Sequence, residues 1–214
     1  SPEIAAVVAD FVARAKARNP ALLYCCDPVL GDRDRGLFVQ AGIPELVRER
    51  LCPLAGIITP NHFEFESLCG RKAGTIEQVI AEAKTLMEHG PFTVVVTSAE
   101  LTDTPERETE TLAIERSRDT LKTLKAWRVR TPKLPISPNG TGDLFASLYV
   151  AACIRGAVTP QALTHAASAI FAVLERTAAR GTTEMRIIES ADVLVHPKRR
   201  FAAEAVSAAS SSAR

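Results

Sequence analysis

Cysteine is scarce and odd in number in this 214-residue chain: Cys25, Cys26, Cys52, Cys69 and Cys153, with no C-x-x-C pair. Such a set, lying mostly in apolar surroundings, argues against a disulfide framework and reads as buried, reduced thiols of a cytosolic protein. Charge of one sign is lacking too. Twenty-six Lys and Arg against 25 Asp and Glu leave a net charge of +1, which provides no electrostatic footprint for nucleic acid. The one basic run, Lys198-Arg199-Arg200, is too short to argue for a membrane surface. No apolar run is long enough to span a bilayer; the longest, around Leu144 to Ile154, reads as a buried helix. No signal-peptide pattern opens the chain and no repeats occur. His62, His89, His165 and His196 show no metal-ligand spacing. The absence of G-x-x-x-x-G-K-[ST] disfavours a P-loop ATPase, and that of G-x-G-x-x-G after the first strand a Rossmann dehydrogenase. An initial methionine is also lacking. Ser1-Pro2-Glu3 runs straight into a helical pattern, and the expectation is a fragment or a processed product.

What is present is an ordinary globular composition, 46% hydrophobic and 24% charged, in a length that suits one sizeable domain. Ser1 caps a helix with Pro2 at its first position and an apolar face of Ile4, Val7, Val8, Phe11 and Val12. Short apolar runs at Leu22 to Cys26, Ala55 to Ile58 and Thr93 to Val96 read as central parallel strands buried on both faces. Between them lie helical segments: a short one from Pro44, one from about Phe63 to a stop at Gly70, and one opened by a Thr75/Gln78 capping box and closed by Gly90. From Leu101 to Lys133 the pattern turns polar, and Leu112-Ala113-Ile114 and Trp127-Arg128-Val129 are read as antiparallel strands joined by an exposed loop at a sheet edge. Two helices follow Gly140: one from Asp143 to Gly156, the next capped by Thr159 with Pro160 behind it. The alanine- and serine-rich segment 203–214 is expected to fray.

Alternating strands and helices imply an α/β sheet with helices on both faces, whose ligands bind beyond the carboxyl ends of the strands. Asp27, Thr59 with Asn61, and Thr97 with Ser98 each follow a buried strand and are expected to converge on one edge. Asn139-Gly140-Thr141-Gly142-Asp143 leads into a helix. Glycines there let backbone N–H groups turn toward one point, which suits a phosphoryl group in transfer, and a carboxylate at the same turn can accept the proton of an attacking hydroxyl. The same residues also read as an ordinary Asp N-cap after a glycine loop. Asp27 and Asp32 bracket a turn whose carboxylates suit a hydrated Mg²⁺ or another cation, or simply cap it. Asn61 and Glu64 lie on one side of a helix start, as ligand contacts or as a capping box.

Taken together, Asp27-Pro28-Val29-Leu30-Gly31-Asp32, Ile58-Thr59-Pro60-Asn61-His62-Phe63-Glu64, Val95-Val96-Thr97-Ser98 and Gly140-Thr141-Gly142-Asp143-Leu144-Phe145-Ala146 resemble, in order and spacing, the pyridoxal kinases of the ribokinase-like superfamily. The resemblance runs from Asp27 to about Pro197. It implies a three-layer α/β/α fold with a mostly parallel central sheet, one kinase domain over residues 1–202, and ATP-dependent phosphorylation of the 5′-hydroxymethyl of pyridoxal, pyridoxine or pyridoxamine. By position it implies Asp143 as catalytic base against the substrate and Gly140, Thr141 and Gly142 as the anion hole. Asn61, Thr97, Ser98 and Asn139 become ATP contacts, with the Leu134 to Asn139 segment along the nucleotide. Asp32 and Glu64 lie near Mg²⁺; Asp27, Thr59 and Thr97 hold a monovalent cation, K⁺ or Na⁺. A cytoplasmic enzyme, homodimeric when full-length, without nucleic-acid or membrane partners, is expected.

In that family a substantial N-terminal portion, with the first strands and most of the ring-gripping residues, precedes the first helix seen here. The expectation is that this chain alone binds ATP weakly and turns pyridoxal over poorly or not at all. Two rivals stand beside this reading: a hydroxymethylpyrimidine kinase, which shares a similar Asp-Pro-Val turn, and a truncated kinase fold kept as a binding module. Cys153, Cys25-Cys26 and Trp127 are read as packing residues, and Arg176 and Arg180 as a solvated helix end.

Overall fold

The computed structural model describes residues 1–117 and 123–206. Helix α1 (Pro2–Arg18) has Pro2 at its first turn, where the missing N–H would be unpaired anyway. Strand β1 (Cys25–Cys26) leads into a hairpin of β2 (Gly31–Asp32) and β3 (Gly36–Leu37). A Cβ at Gly31 would stand 2.3 Å from the Gly36 carbonyl oxygen, so this hairpin closes only around glycine. Helix α2 (Ile43–Leu46) winds on irregularly to Leu54 before strand β4 (Ile57–Ile58). Helices α3 (His62–Cys69) and α4 (Ile76–Met87) each start with the capping box read from their sequence and lead to β5 (Thr93–Ala99). Strands β6 (Glu108–Arg116) and β7 (Leu124–Pro132) precede α5 (Thr141–Ile154), α6 (Thr159–Ala179), the short α7 (Ala191–Val195) and β8 (Glu204–Val206).

One six-stranded sheet runs β1-β4-β5-β6-β7-β8. Successive strand residues face opposite sides and so supply two cores. Ile58, Val94, Val96, Leu112 and Ile114 pack with Phe65, Leu68, Val79 and Ala83 of α3 and α4. Their neighbours Ile57, Val95, Ala113 and Val129 pack with Phe145, Tyr149, Leu163 and Ala166 of α5 and α6. The three-layer α/β/α architecture is therefore as expected.

Its sheet is mixed rather than mostly parallel. Among the described strands β1/β4 and β4/β5 pair in parallel, while β5/β6, β6/β7 and β7/β8 are antiparallel. Parallel pairing needs a crossover of a dozen or more residues, and the helix-free link from Glu100 to Arg107 is too short for one. The expected exposed loop between β6 and β7 falls partly on residues 118–122, outside the described residues.

Four more expectations are corrected. β7 is not the sheet edge, because β8 pairs with it where the sequence reads as a fraying tail. Thr164 and Ser168 of α6 accept the backbone N–H groups of Ala203 and Phe201 and guide the chain there; residues 207–214 lie outside the described residues. Thr159 does not cap α6: it is the first helical residue, its hydroxyl donates to Glu115, and the Gln161 side chain caps the Val158 N–H. The Leu144–Ile154 run is buried along one side only, with Ile154 70% exposed. On α1, Ile4, Val7 and Phe11 are likewise solvent-facing, and burial falls on Ala9 and Val12.

Candidate active site

The carboxyl ends of the three parallel strands are stitched together by their backbones. Thr59 N–H donates to the Cys26 carbonyl at 3.1 Å, Thr97 N–H to the Pro60 carbonyl at 2.9 Å, and Asn61 bridges to Thr97. This stitching brings Asp27, Thr59, Asn61 and Thr97 to one edge. The Thr59 hydroxyl donates to Asp27 Oδ1 at 3.2 Å. Burial, with added repulsion from Glu64 and Asp143, pushes the Asp27 carboxyl up to about 6.

The turn after β1 hangs on Glu64. Its Oε1 accepts the backbone N–H of Leu30 at 2.8 Å and of Gly31 at 3.4 Å, and its Oε2 that of Asn61 at 2.9 Å. Asn61 reciprocates, accepting the Glu64 N–H at 2.9 Å and donating from Nδ2 to the Gly31 carbonyl at 2.8 Å. Glu64 is 4% exposed, and burial raises its pKa against the pull of those three amides. The clasp also holds Val29 at φ 47°, a conformation a β-branched residue rarely takes.

Helix α5 starts opposite. Gly140 caps it at φ 81°, a left-handed turn that suits glycine. The Thr141 hydroxyl donates to the Pro138 carbonyl at 2.8 Å. Asp143 is therefore the third helical residue rather than the N-cap, and it is exposed. A Cβ on Gly142 would stand 3.9 Å from Asp27 Oδ2, so this helix start faces the end of β1. The first-turn amides, with the helix dipole behind them, offer donors to an anion.

Two cavities meet here. The smaller, about 340 Å³, is lined by Asp27, Asp32, Thr59, Asn61, Glu64 and Thr97, and from the other side by Asn139, Gly140, Gly142 and Asp143. The larger, about 710 Å³, is bounded by Ser137, Pro138, Leu144 and Ser147, and by Thr183 to Met185 with Ile187. Asn139, Gly140 and Asp143 line both.

Two expected residues stand apart. Ser98 is exposed at φ 48°, where the β5/β6 register slips, and lines neither cavity. Thr141 lines neither cavity, its hydroxyl being engaged with the Pro138 carbonyl and, at 3.8 Å, Met185 Sδ. Conversely, Arg35, Phe38 and Met185 line these cavities with no ligand signal in the sequence. Arg35 and Phe38 sit in a short Asp/Arg/Gly hairpin that carries a turn signal and no ligand signal. Met185 arrives because α5 and α6 pack side by side, so the chain leaving α6 ends beside the start of α5. No local pattern announces it. Arg176 and Arg180 pair with Asp192 and Glu189. His62 is buried, its Nδ1 accepting the Glu100 N–H at 2.8 Å and its Nε2 donating to the Ala73 carbonyl at 3.0 Å, which is a structural role.

Among the described residues no three His, Cys, Asp or Glu side chains form a metal-binding group. Oxygen donors in ones and twos match Mg²⁺ as it is usually held, by one or two carboxylates together with substrate phosphates and water. No helix among the described residues is long and apolar enough to cross a membrane.

Residues 1–187 match a family described as phosphomethylpyrimidine kinase. Over 206 residues the chain is 40% identical to pyridoxal kinase PdxY of Leifsonia xyli, covering 96% of this chain and 70% of that protein. PdxY of Rubrobacter xylanophilus is 41% identical over 196 residues, 91% of this chain and 65% of its own length. The structure superposes on the pyridoxal kinase of Leishmania donovani in complex with ADP and pyridoxamine, with a TM-score of 0.83 and 27% identity, over 96% of this chain and 71% of that one.

Proposed function

The chain belongs to the phosphomethylpyrimidine kinase family, and from that premise we propose that it carries the catalytic centre of a pyridoxal kinase. The reaction moves the γ-phosphoryl of ATP to the 5′-hydroxymethyl of pyridoxal, pyridoxine or pyridoxamine, giving the 5′-phosphate and ADP. The observation that carries this reading is the wall common to the two cavities, where Gly140 and Asp143 stand at the start of α5. Donor phosphates on one side and an acceptor alcohol on the other would meet across it.

Asp143 accepts the proton of the acceptor hydroxyl as its oxygen attacks phosphorus. The backbone N–H groups of the Gly140-Thr141-Gly142 turn hold the charge that gathers on the transferring group. Asn61, Thr97 and Asn139 line the phosphate side. Asp32 and Glu64 are the acidic positions for Mg²⁺, with Glu64 acting through the turn that it holds. When bound, that ion neutralises phosphate charge. Asp27, Thr59 and Thr97 offer hard oxygen donors to a monovalent cation. The same reading makes the protein a cytoplasmic enzyme that pairs with a second copy.

A second reading, a hydroxymethylpyrimidine kinase, is favoured by the description of the matching family. ADP formation with pyridoxal and with hydroxymethylpyrimidine, at equal ATP and Mg²⁺, separates the two. Preference for pyridoxal is expected. The reverse preference installs the second reading, and a chain showing neither turnover nor Mg²⁺-dependent nucleotide binding is a binding module at most.

A further inference from the structure

Among the described residues, four carboxylates, those of Asp27, Asp32, Glu64 and Asp143, line the smaller cavity, and Arg35 is the one cationic side chain that does. A wall so charged repels a polyphosphate unless positive charge enters with it or already stands there. Arg35 stands there, occupied by a replaceable partner. Its Nε donates to Asp32 Oδ2 at 2.7 Å, and its terminal nitrogen lies 2.5 Å from the same oxygen. The side chains are 64% and 32% exposed, so water screens the pair and its hold is weak. The guanidinium also lies over the Phe38 ring, 5.1 Å from its centroid, and both side chains line the cavity. Its neighbour in the same turn, Arg33, points elsewhere: Nε is 2.7 Å from Glu100 Oε2 and the guanidinium is 3.8 Å from Glu66. Arg33 anchors the hairpin and leaves Arg35 free to change partners.

We propose that Arg35 is a phosphate-binding residue, leaving Asp32 for the nucleotide's phosphate oxygens and thereby releasing the Asp32 carboxylate toward the accompanying cation. This deepens the proposed ATP-dependent phosphotransfer and rests on it, assigning a contact to the donor's phosphates. A planar guanidinium offers paired N–H donors that match two phosphate oxygens. The exchange also leaves no charge unpaired, because Arg35 gains a phosphate as Asp32 gains a cation.

Calorimetric titration of a non-hydrolysable ATP analogue, with and without Mg²⁺, tests this in the wild type, Arg35→Ala, Arg35→Lys and Asp32→Asn. Arg35→Ala weakens binding by roughly tenfold to a hundredfold in both conditions, the scale of a charged hydrogen bond. Its melting temperature is unchanged, as befits an exposed side chain. Arg35→Lys recovers part of the affinity. Asp32→Asn, which frees the guanidinium, tightens metal-free binding and loses most of the gain from Mg²⁺. Should Arg35→Ala not fold, Arg35→Gln carries the same comparison. An alanine variant within twofold of the wild type overturns the role of Arg35 and leaves the kinase reading standing. A wild-type chain that binds no analogue in either condition overturns both.

Discussion

Leu30 donates its backbone N–H to the buried Oε1 of Glu64 at 2.8 Å, across 34 residues of sequence. That bond, with those of Gly31 and Asn61 to the same carboxylate, fixes the acidic turn after β1 against the start of α3. The position of Asp32 at the cavity thus depends on a residue whose own oxygens are already occupied.

Glu64→Ala is expected to destabilise the fold by about 2–4 kcal/mol, since it removes the carboxylate that accepts the Leu30, Gly31 and Asn61 amides. Glu64→Gln, which keeps one acceptor oxygen, should lose less. Urea denaturation measures both. A loss below about 0.5 kcal/mol for the alanine variant would show that the turn holds itself.

Asp27 titrates in the folded chain at about 6, against roughly 4 when unfolded. The folded state binds this proton more tightly, so the stability it brings is complete below about pH 4 and is lost as pH rises to about 6. Asp27→Asn stays neutral throughout. It should gain on the wild type across that window and then hold a constant advantage of roughly 2–3 kcal/mol. Denaturation series at pH 4, 5, 6 and 7 read the difference, and a pH-independent difference would contradict the assignment.

Gly140 sits at φ 81°, and a Cβ there would stand 3.2 Å from Met185 Cε. Gly140→Ala should cost about 1–2 kcal/mol of stability and, by twisting the amides of the helix start, more in turnover than in substrate affinity. A variant with wild-type kcat would remove this turn from the chemistry.

Burial pushes the thiols of Cys25 and Cys69 up to about 12. Both should resist alkylation in the native chain at pH 8 and react promptly once it is unfolded. Peptide mapping after brief iodoacetamide treatment decides this, and full native labelling of either half-buried residue would contradict its protection by the fold.

Most of this fold was legible in the sequence, because apolar runs ending in Asp27, Thr59 and Thr97 mark buried parallel strands and the polar residues after them mark the ligand edge. The Thr75/Gln78 and Asn61/Glu64 boxes were legible for the same local reason. Asp143 was placed at the helix start, yet only backbone geometry makes Gly140 the cap and Asp143 the third residue. The direction of β6, β7 and β8 was not legible, since strand pairing follows from link length and from side chains as distant as Thr164. Arg35 and Met185 were not legible, because a charged turn and a lone methionine carry no signal until the fold sets them against the cavities.

The proposed transfer has Asp143 take the acceptor's proton beside amides that hold the migrating phosphoryl group. Asp143→Asn, assayed for pyridoxal turnover and for binding of an ATP analogue, tests it most directly. Turnover should fall by roughly two orders of magnitude or more, the scale of losing a general base, with analogue affinity preserved. A variant that still phosphorylates pyridoxal at the wild-type rate would contradict the account.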